Sequence, residues 1–109
     1  MTTNVIFLNK ENQINRVIKE QRKTGQRVHL LFVSLWDKCS TVLVDSLENY
    51  RGNTPIYVAN SFTMPHAFVI YRVTKSPALV TLMRDRFIKE DYLSNIYNEL
   101  GCEPVTFSI

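Results

Sequence analysis

The sequence predicts an α/β protein with a central, mixed but mostly parallel sheet flanked by helices, in the order β-α-β-α-β-α-β-β-α. Short apolar segments rich in β-branched residues alternate with amphipathic segments along the chain. The run "RVHLLFVSL" is almost entirely apolar, which is typical of a strand that is covered on both faces. The 109 residues, 45% of them hydrophobic and 21% charged, suit one folded domain over residues 1–109.

The first half of the chain contains two strand–helix units. "NVIFL" is predicted as a strand, and the following residues 10–24 form an amphipathic helix that Gly25 ends. "RVHLLFVSL" is the predicted central strand. A second helix follows from Asp37 onward, with apolar residues at helical spacing, and its N-cap can be Asp37, Ser40 or Thr41.

The second half adds a strand, a short helix, a hairpin and a final helix. "IYVAN" and "PALVTLM" are predicted strands, with "RFI" as a hairpin partner. Between the two strands, residues near 61–71, with Phe62, predict a short helix that is interrupted or begun at Pro65. "KEDYLSNIYNELG" predicts a helix with acids in its first turn and Gly101 after its end. Residues 101–109 are expected to form a loose tail or an additional edge strand, because Val105, Phe107 and Ile109 alternate with polar residues.

The net charge of +3 is mild, but basic residues concentrate in the first helix and just after it: Arg16, Lys19, Arg22, Lys23 and Arg27. Such a run usually forms a solvated helix face, with nucleic-acid binding as the weaker alternative. No aromatic residue is interleaved with these charges, which weakens the case for binding a single strand by stacking. No segment predicts a membrane span or a targeting signal, so we expect no membrane partner.

The cysteines and histidines do not indicate a metal or cofactor site. Two distant cysteines do not make a disulfide framework, which favours a reducing intracellular compartment such as the cytoplasm. Neither His29 nor His66 has a cysteine or carboxylate at metal-ligand spacing. There is no glycine-rich phosphate loop and no serine nucleophile elbow. We therefore expect no metal and no cofactor.

Two stretches resemble the thioredoxin-like superfamily. "YRVTKSPALVTLM" is similar to the segment in which a cis-proline precedes the fourth strand of that fold, which places this proline at Pro77, after Ser76. "LWDKC" resembles W-C-G-P-C, the redox motif that lies where the second strand meets its helix. The resemblance implies a thioredoxin-like fold over nearly the whole chain, with the cis-proline facing this motif.

Three registers can align the motif. In the first, Trp36 and Cys39 take the two cysteine places, so that W-D-K-C replaces C-G-P-C. In the second, Asp37 and Ser40 take them, and in the third Cys39 is the first cysteine and Val42 replaces the second. We prefer the first, because it keeps the strand ungapped and resembles the phosducin-like group, in which a single cysteine survives. In that register Cys39 is the deeper thiol.

No register supplies the two thiols that dithiol exchange needs. The leading prediction is a thioredoxin-fold module without catalytic activity that binds a protein partner through Trp36, Asp37, Lys38, Ser76 and Pro77. The alternative is a monothiol oxidoreductase that uses Cys39 with glutathione, with Lys38 helping to hold the thiolate. Binding of nucleic acid through the basic first helix is the weakest of the three.

Overall fold

The structure, a computed structural model, describes residues 4–84 and 86–104. In these ranges the predicted order of strands and helices is confirmed. The strands and helices are β1 (Val5–Phe7), α1 (Glu11–Thr24), β2 (Val28–Val33), α2 (Lys38–Ser46), β3 (Ile56–Asn60), α3 (Pro65–Ile70), β4 (Ala78–Met83), β5 (Arg86–Glu90) and α4 (Leu93–Leu100). A single 3₁₀ turn, Leu47–Asn49, follows α2.

The strands form one mixed sheet in the order β1-β3-β2-β4-β5. β1, β3 and β2 are parallel to one another, whereas β4 runs antiparallel to β2 and β5 antiparallel to β4. All six residues of β2 are buried, which agrees with the apolar run that predicted the central strand. Side chains alternate between the faces of a strand, so that β2 contributes to a hydrophobic core on each side of the sheet.

Each face of the sheet carries one core and one pair of helices. On one face, Leu30 and Phe32 of β2 belong to a cluster with side chains from α1 and from the α3 region. On the other face, Leu31 and Val33 belong to a cluster with side chains from α2 and α4. α1 ends at Gly25, which has a φ of 70° and donates its N–H to the carbonyl of Gln21 at 2.7 Å.

At the C-terminal end, the start of the last helix differs from the sequence prediction, and the predicted tail strand is not described by the structure. α4 begins at Leu93 and has no acid in its first turn, because Lys89 and Glu90 extend β5 through pairing with β4. The predicted tail strand, Val105, Phe107 and Ile109, lies outside the described residues. Among the residues described, no helix combines the length and apolar character needed to cross a bilayer.

Candidate functional site

Three loops meet at one edge of the sheet, the one formed by the carboxyl ends of the central strands and not by an outer strand. The parallel strands β2 and β3 end at this edge, and β4 begins there because it runs antiparallel to β2. The loops after β2 and β3 are joined by two contacts: Ser61 N–H donates to the carbonyl of Val33 at 2.9 Å, and the hydroxyls of Ser34 and Ser61 lie 2.9 Å apart. The edge is therefore held together by polar contacts between loops that are distant in sequence.

Asp37 is the residue that joins these loops to α2. It is the N-cap of α2, and its Oδ1 accepts a hydrogen bond from the Cys39 N–H at 3.1 Å. Its Oδ2 accepts from the hydroxyls of Ser40 at 3.2 Å and Ser76 at 3.3 Å. A carboxylate at this position also interacts favourably with the positive end of the helix dipole. Of the three N-cap candidates, the structure thus uses Asp37.

Ser40 lies behind Asp37 and is fully buried. Its hydroxyl donates to Asp37 and accepts the Ser34 N–H at 3.2 Å, so both of its hydrogen-bonding functions are used. From the sequence, Ser40 is only a possible N-cap and one of the two cysteine places in the second register. The position three residues after the N-cap of an amphipathic helix was the signal that could have identified it as a core-facing residue.

The turn before β4 brings Ser76 and Pro77 to the same place. The Ser76–Pro77 peptide bond is cis, and Pro77 is buried directly before the first residue of β4. The Ser76 side chain is half-buried and reaches Asp37. Outside the helices and strands, none of the backbone hydrogen bonds found in the described ranges involves the Ser76 N–H or carbonyl. The structure therefore brings together Asp37, Ser76 and Pro77.

Apolar side chains are exposed beside this polar network. Trp36 is 73% exposed and Leu35 is 53% exposed, so neither side chain is part of the core. Phe62, in the loop after β3, is 75% exposed, and its N–H donates to Asn60 Oδ1 at 2.9 Å. The helical pattern predicted for residues near 61–71 hides Phe62 as a surface residue; Asn60 as an Asx-turn former was the available signal. We call Leu35, Trp36, Phe62 and Ser76 the edge surface.

The expectation that Cys39 is the deeper thiol is wrong. Cys39 is exposed and the neighbouring Lys38 is exposed as well, whereas Ser40 faces the core. The reason is helical geometry, because successive residues point about 100° apart and only one of them can face the sheet. Cys102 is buried after α4, and burial raises the pKa of its thiol. Both cysteines are free.

The two histidines lie in different environments. His29 is 3% exposed in β2, and its Nδ1 lies 2.8 Å from the hydroxyl of Thr81. Burial, with a smaller contribution from the Arg27 charge, lowers the pKa of His29 to about 4. His66 is exposed in α3. Over the described part of the chain, no group of three or more histidine, cysteine or acidic side chains could hold a metal ion.

Comparison with solved structures finds this architecture in thioredoxins. A thioredoxin of Schistosoma mansoni superposes with a TM-score of 0.73 at 10% sequence identity, over 89% of this chain and 93% of the other. A thioredoxin of Fasciola hepatica gives 0.69 at 15% identity, over 88% and 96%. Thioredoxin O2 of Arabidopsis thaliana, in its oxidised state, gives 0.67 at 15% identity, over 93% and 95%.

No protein-family model matches the chain, and no curated protein matches it either. The similarity to the thioredoxins therefore lies in the path of the backbone, and it covers about nine tenths or more of this chain and of each thioredoxin chain. The chain has the thioredoxin-like fold.

Proposed function

We propose that this chain is a protein-interaction module without dithiol redox activity, which binds an extended segment of a protein partner at the edge surface. The observation that carries the proposal is the position of Asp37. This carboxylate is the N-cap of α2 and is fixed by donors from Cys39, Ser40 and Ser76. A carboxylate cannot attack a disulfide, since exchange requires a thiolate.

The second register agrees best with this geometry. In the thioredoxins that the sequence resembles, the first cysteine of the redox motif stands at the start of the helix and the second follows three residues later. Asp37 and Ser40 have this spacing, with Asp37 at the N-cap and Ser40 buried behind it. Both thiols are then replaced by oxygen groups that hydrogen-bond to each other, which stabilises the helix start and leaves no resolving thiol.

The chemistry of the edge surface fits a peptide with apolar side chains. Trp36 and Phe62 each leave about three quarters of their surface in solvent, and aromatic residues dominate binding hot spots. The Ser76 peptide groups, which have no backbone partner among the described residues outside helices and strands, can pair with an extended backbone. Lys38 and Asp37 add charge at the margin of the surface. We place the module in a reducing intracellular compartment, in keeping with its free thiols.

A monothiol oxidoreductase is the second candidate, and the exposure of Cys39 in the first turn of α2 favours it. The Cys39 thiolate would attack a protein–glutathione mixed disulfide, release the protein thiolate and retain glutathione on its own sulfur. A second glutathione would then restore the Cys39 thiol and leave as glutathione disulfide. Against this candidate, the N-cap of α2 is Asp37 and not the cysteine.

The first test selects twelve-residue peptides from a display library on the native protein and measures their affinity for variants. Trp36→Ala should weaken binding by about tenfold or more, as expected for a hot-spot aromatic residue. Phe7→Ala is the matched control, because Phe7 is a 60% exposed aromatic side chain two strands away from β2. Equal affinity of the two variants for every selected peptide would contradict the proposal.

A second test separates the two candidates. The native protein should not reduce insulin disulfides with dithiothreitol as electron source, and it should not release glutathione from a glutathionylated peptide. Cys39→Ser should leave peptide affinity unchanged within about twofold. Release of glutathione that disappears in Cys39→Ser would establish the monothiol enzyme instead.

A further inference from the structure

A groove lies at the other end of β4 from the edge surface, between the last turns of α1 and the β4–β5 hairpin. Its volume is about 830 Å³, within the usual range for ligand sites. Its polar and aromatic lining residues are Gln21, Arg22, Tyr71, Arg84, Arg86 and Phe87. None of these residues takes part in the proposed peptide-binding surface, so the groove needs an explanation of its own.

One of the residues that line the groove, Gln21, carries a buried donor that the described residues leave unpaired. Gln21 is 4% exposed, and its buried Nε2 has no hydrogen-bond partner among the described residues. Leaving a buried polar group unpaired costs about 1–3 kcal/mol, which is why such groups almost always have a partner. Because Gln21 lines the groove, an acceptor atom of a bound ligand can supply that partner.

The groove is also positively charged. Arg22, Arg84 and Arg86 all line it and are exposed, and no carboxylate is among the described lining residues. The Arg84 side chain lies over the end of α1, where its Nε is 3.2 Å from the position that a Cβ on Gly25 would take. The absence of a side chain at Gly25 thus leaves room for Arg84. Three guanidinium groups in one groove are suited to phosphate oxygens.

The positive charge continues beyond the groove along α1. Arg22 also lines a neighbouring groove of about 500 Å³ together with Arg16, Lys19, Lys23 and one acid, Glu20. Arg27, by contrast, pairs with Glu99 at 3.4 Å. Six cations on two adjoining grooves extend further than one phosphate group requires. They match a chain of phosphates better than a single nucleotide.

Aromatic rings complete the site. No aromatic residue is interleaved with the basic residues of α1 in the sequence, but the fold places Tyr71 and Phe87 in the same groove as Arg22. Phe87 is 57% exposed and Tyr71 is half-buried. Bases stack on exposed aromatic rings whatever their identity, and arginines beside them hold the backbone.

We propose that this groove and the basic face of α1 form a binding site for single-stranded nucleic acid, with a base on Phe87 and phosphates on Arg22, Arg84 and Arg86. The site is independent of the proposed peptide-binding function, which lies at the other end of the sheet. Gln21 donates to an oxygen of the bound strand. Sequence preference is weak, because stacking and phosphate contacts carry little base information.

The test measures the fluorescence anisotropy of labelled twelve-nucleotide oligo-U and oligo-dT over a range of KCl concentrations. Six phosphate contacts predict that log K falls with log salt at a slope of about −4, from about −0.7 per contact on a single strand. The double variant Arg84→Gln with Arg86→Gln should bind at least about tenfold more weakly at low salt, and its slope should become shallower by about 1.4. The matched control, Arg51→Gln with Lys75→Gln, removes the same charge from exposed positions outside both grooves and should bind like the native protein.

Stacking is tested with Phe87→Leu, which keeps an apolar side chain but removes the ring. We expect binding to weaken by about fivefold or more, with the salt slope unchanged, because base stacking on an aromatic ring contributes about 1–3 kcal/mol. Inorganic polyphosphate, uridine monophosphate and a twelve-base-pair duplex serve as competitors, and each should displace the strand more weakly than unlabelled oligo-U does.

The proposal is overturned if the two double variants lose affinity equally or if Phe87→Leu binds like the native protein, since the surface would then act by charge alone. It is also overturned if the monophosphate competes as well as oligo-U, which would assign the groove to a free nucleotide. If the duplex competes as well as oligo-U does, the site does not require an unstacked base, and the proposal of a single-strand site is wrong. Thermal unfolding of each variant establishes that a loss of binding is not a loss of fold.

Discussion

The hydroxyl of Ser76 donates a hydrogen bond to Asp37 Oδ2 at 3.3 Å, across 39 residues of sequence. This bond connects the turn before β4 to the N-cap of α2. The same carboxylate oxygen accepts from Ser40, which in turn accepts the Ser34 N–H at the end of β2. The carboxylate of Asp37 thus joins two elements of the sheet edge to the start of one helix.

Replacing Asp37 should therefore destabilise the protein. Asp37→Ala removes the acceptor of the Cys39 N–H and of two hydroxyls, and we expect the free energy of unfolding to fall by about 1–2 kcal/mol. Urea denaturation measures it. Asp45→Ala, at an exposed position in α2, is the control and should change stability by no more than about 0.5 kcal/mol. An equal effect of both substitutions would show that the network at Asp37 is not stabilising.

The assignment of the second register can be tested by restoring a disulfide. Asp37→Cys with Ser40→Cys, in a Cys39→Ser background, should form a disulfide on mild oxidation, because the two native side chains already lie within 3.2 Å of each other. Trp36→Cys with the native Cys39 should not, since both positions are exposed and face solvent. Thiol titration and mass spectrometry give the result. A disulfide in the second variant alone would support the W-D-K-C register that the sequence favoured.

The two native thiols should differ in their reaction with an alkylating reagent. In the folded protein at neutral pH, Cys39 should be modified quickly because it is exposed, whereas Cys102 is buried and its pKa is raised by that burial. We expect one modified thiol per folded chain and two after unfolding in urea, counted by mass spectrometry. Cys102→Ala should leave the fast phase intact. Loss of the fast phase in that variant would contradict the assignment.

The buried His29 makes stability depend on pH. Its pKa is lowered in the folded protein from 6.5 to about 4, so that between these values the unfolded chain takes up a proton that the folded chain does not. Its contribution is therefore fully present above pH 6.5 and is lost as the pH falls towards 4. The shift corresponds to about 3 kcal/mol.

The measurement is the free energy of unfolding at several pH values between 7 and 4, for the native protein and for His29→Gln. The glutamine can still bond to Thr81 but does not titrate, so this variant should lose less stability on acidification. Carboxylates titrate in the same pH range in both proteins. Only the difference between the two proteins in their free energy of unfolding at each pH therefore reports on His29. Parallel curves would contradict a neutral, buried His29.

The sequence carried enough information to predict most of the backbone order. Strands were recognisable as short apolar segments rich in β-branched residues, and helices because their apolar residues recur about every three and a half residues. Gly25 and Gly101 marked helix ends, and each has a φ of 70° that suits glycine. The start of α4 was misplaced because Glu90 belongs to a strand only through its pairing with Leu79, a contact between segments that local periodicity does not show.

For the candidate site, the sequence by itself determined the residue types and their spacing: Trp36, Asp37 and Cys39 before an amphipathic helix, and Ser76 before Pro77. Only the tertiary structure decided that Ser40, and not Cys39, faces the core and that the Asp37 carboxylate reaches Ser76. It alone brought Phe87 of β5 into the same groove as Arg22 of α1. The physical reason is that burial and side-chain contact depend on which segments the sheet brings together, whereas local spacing specifies only the elements themselves.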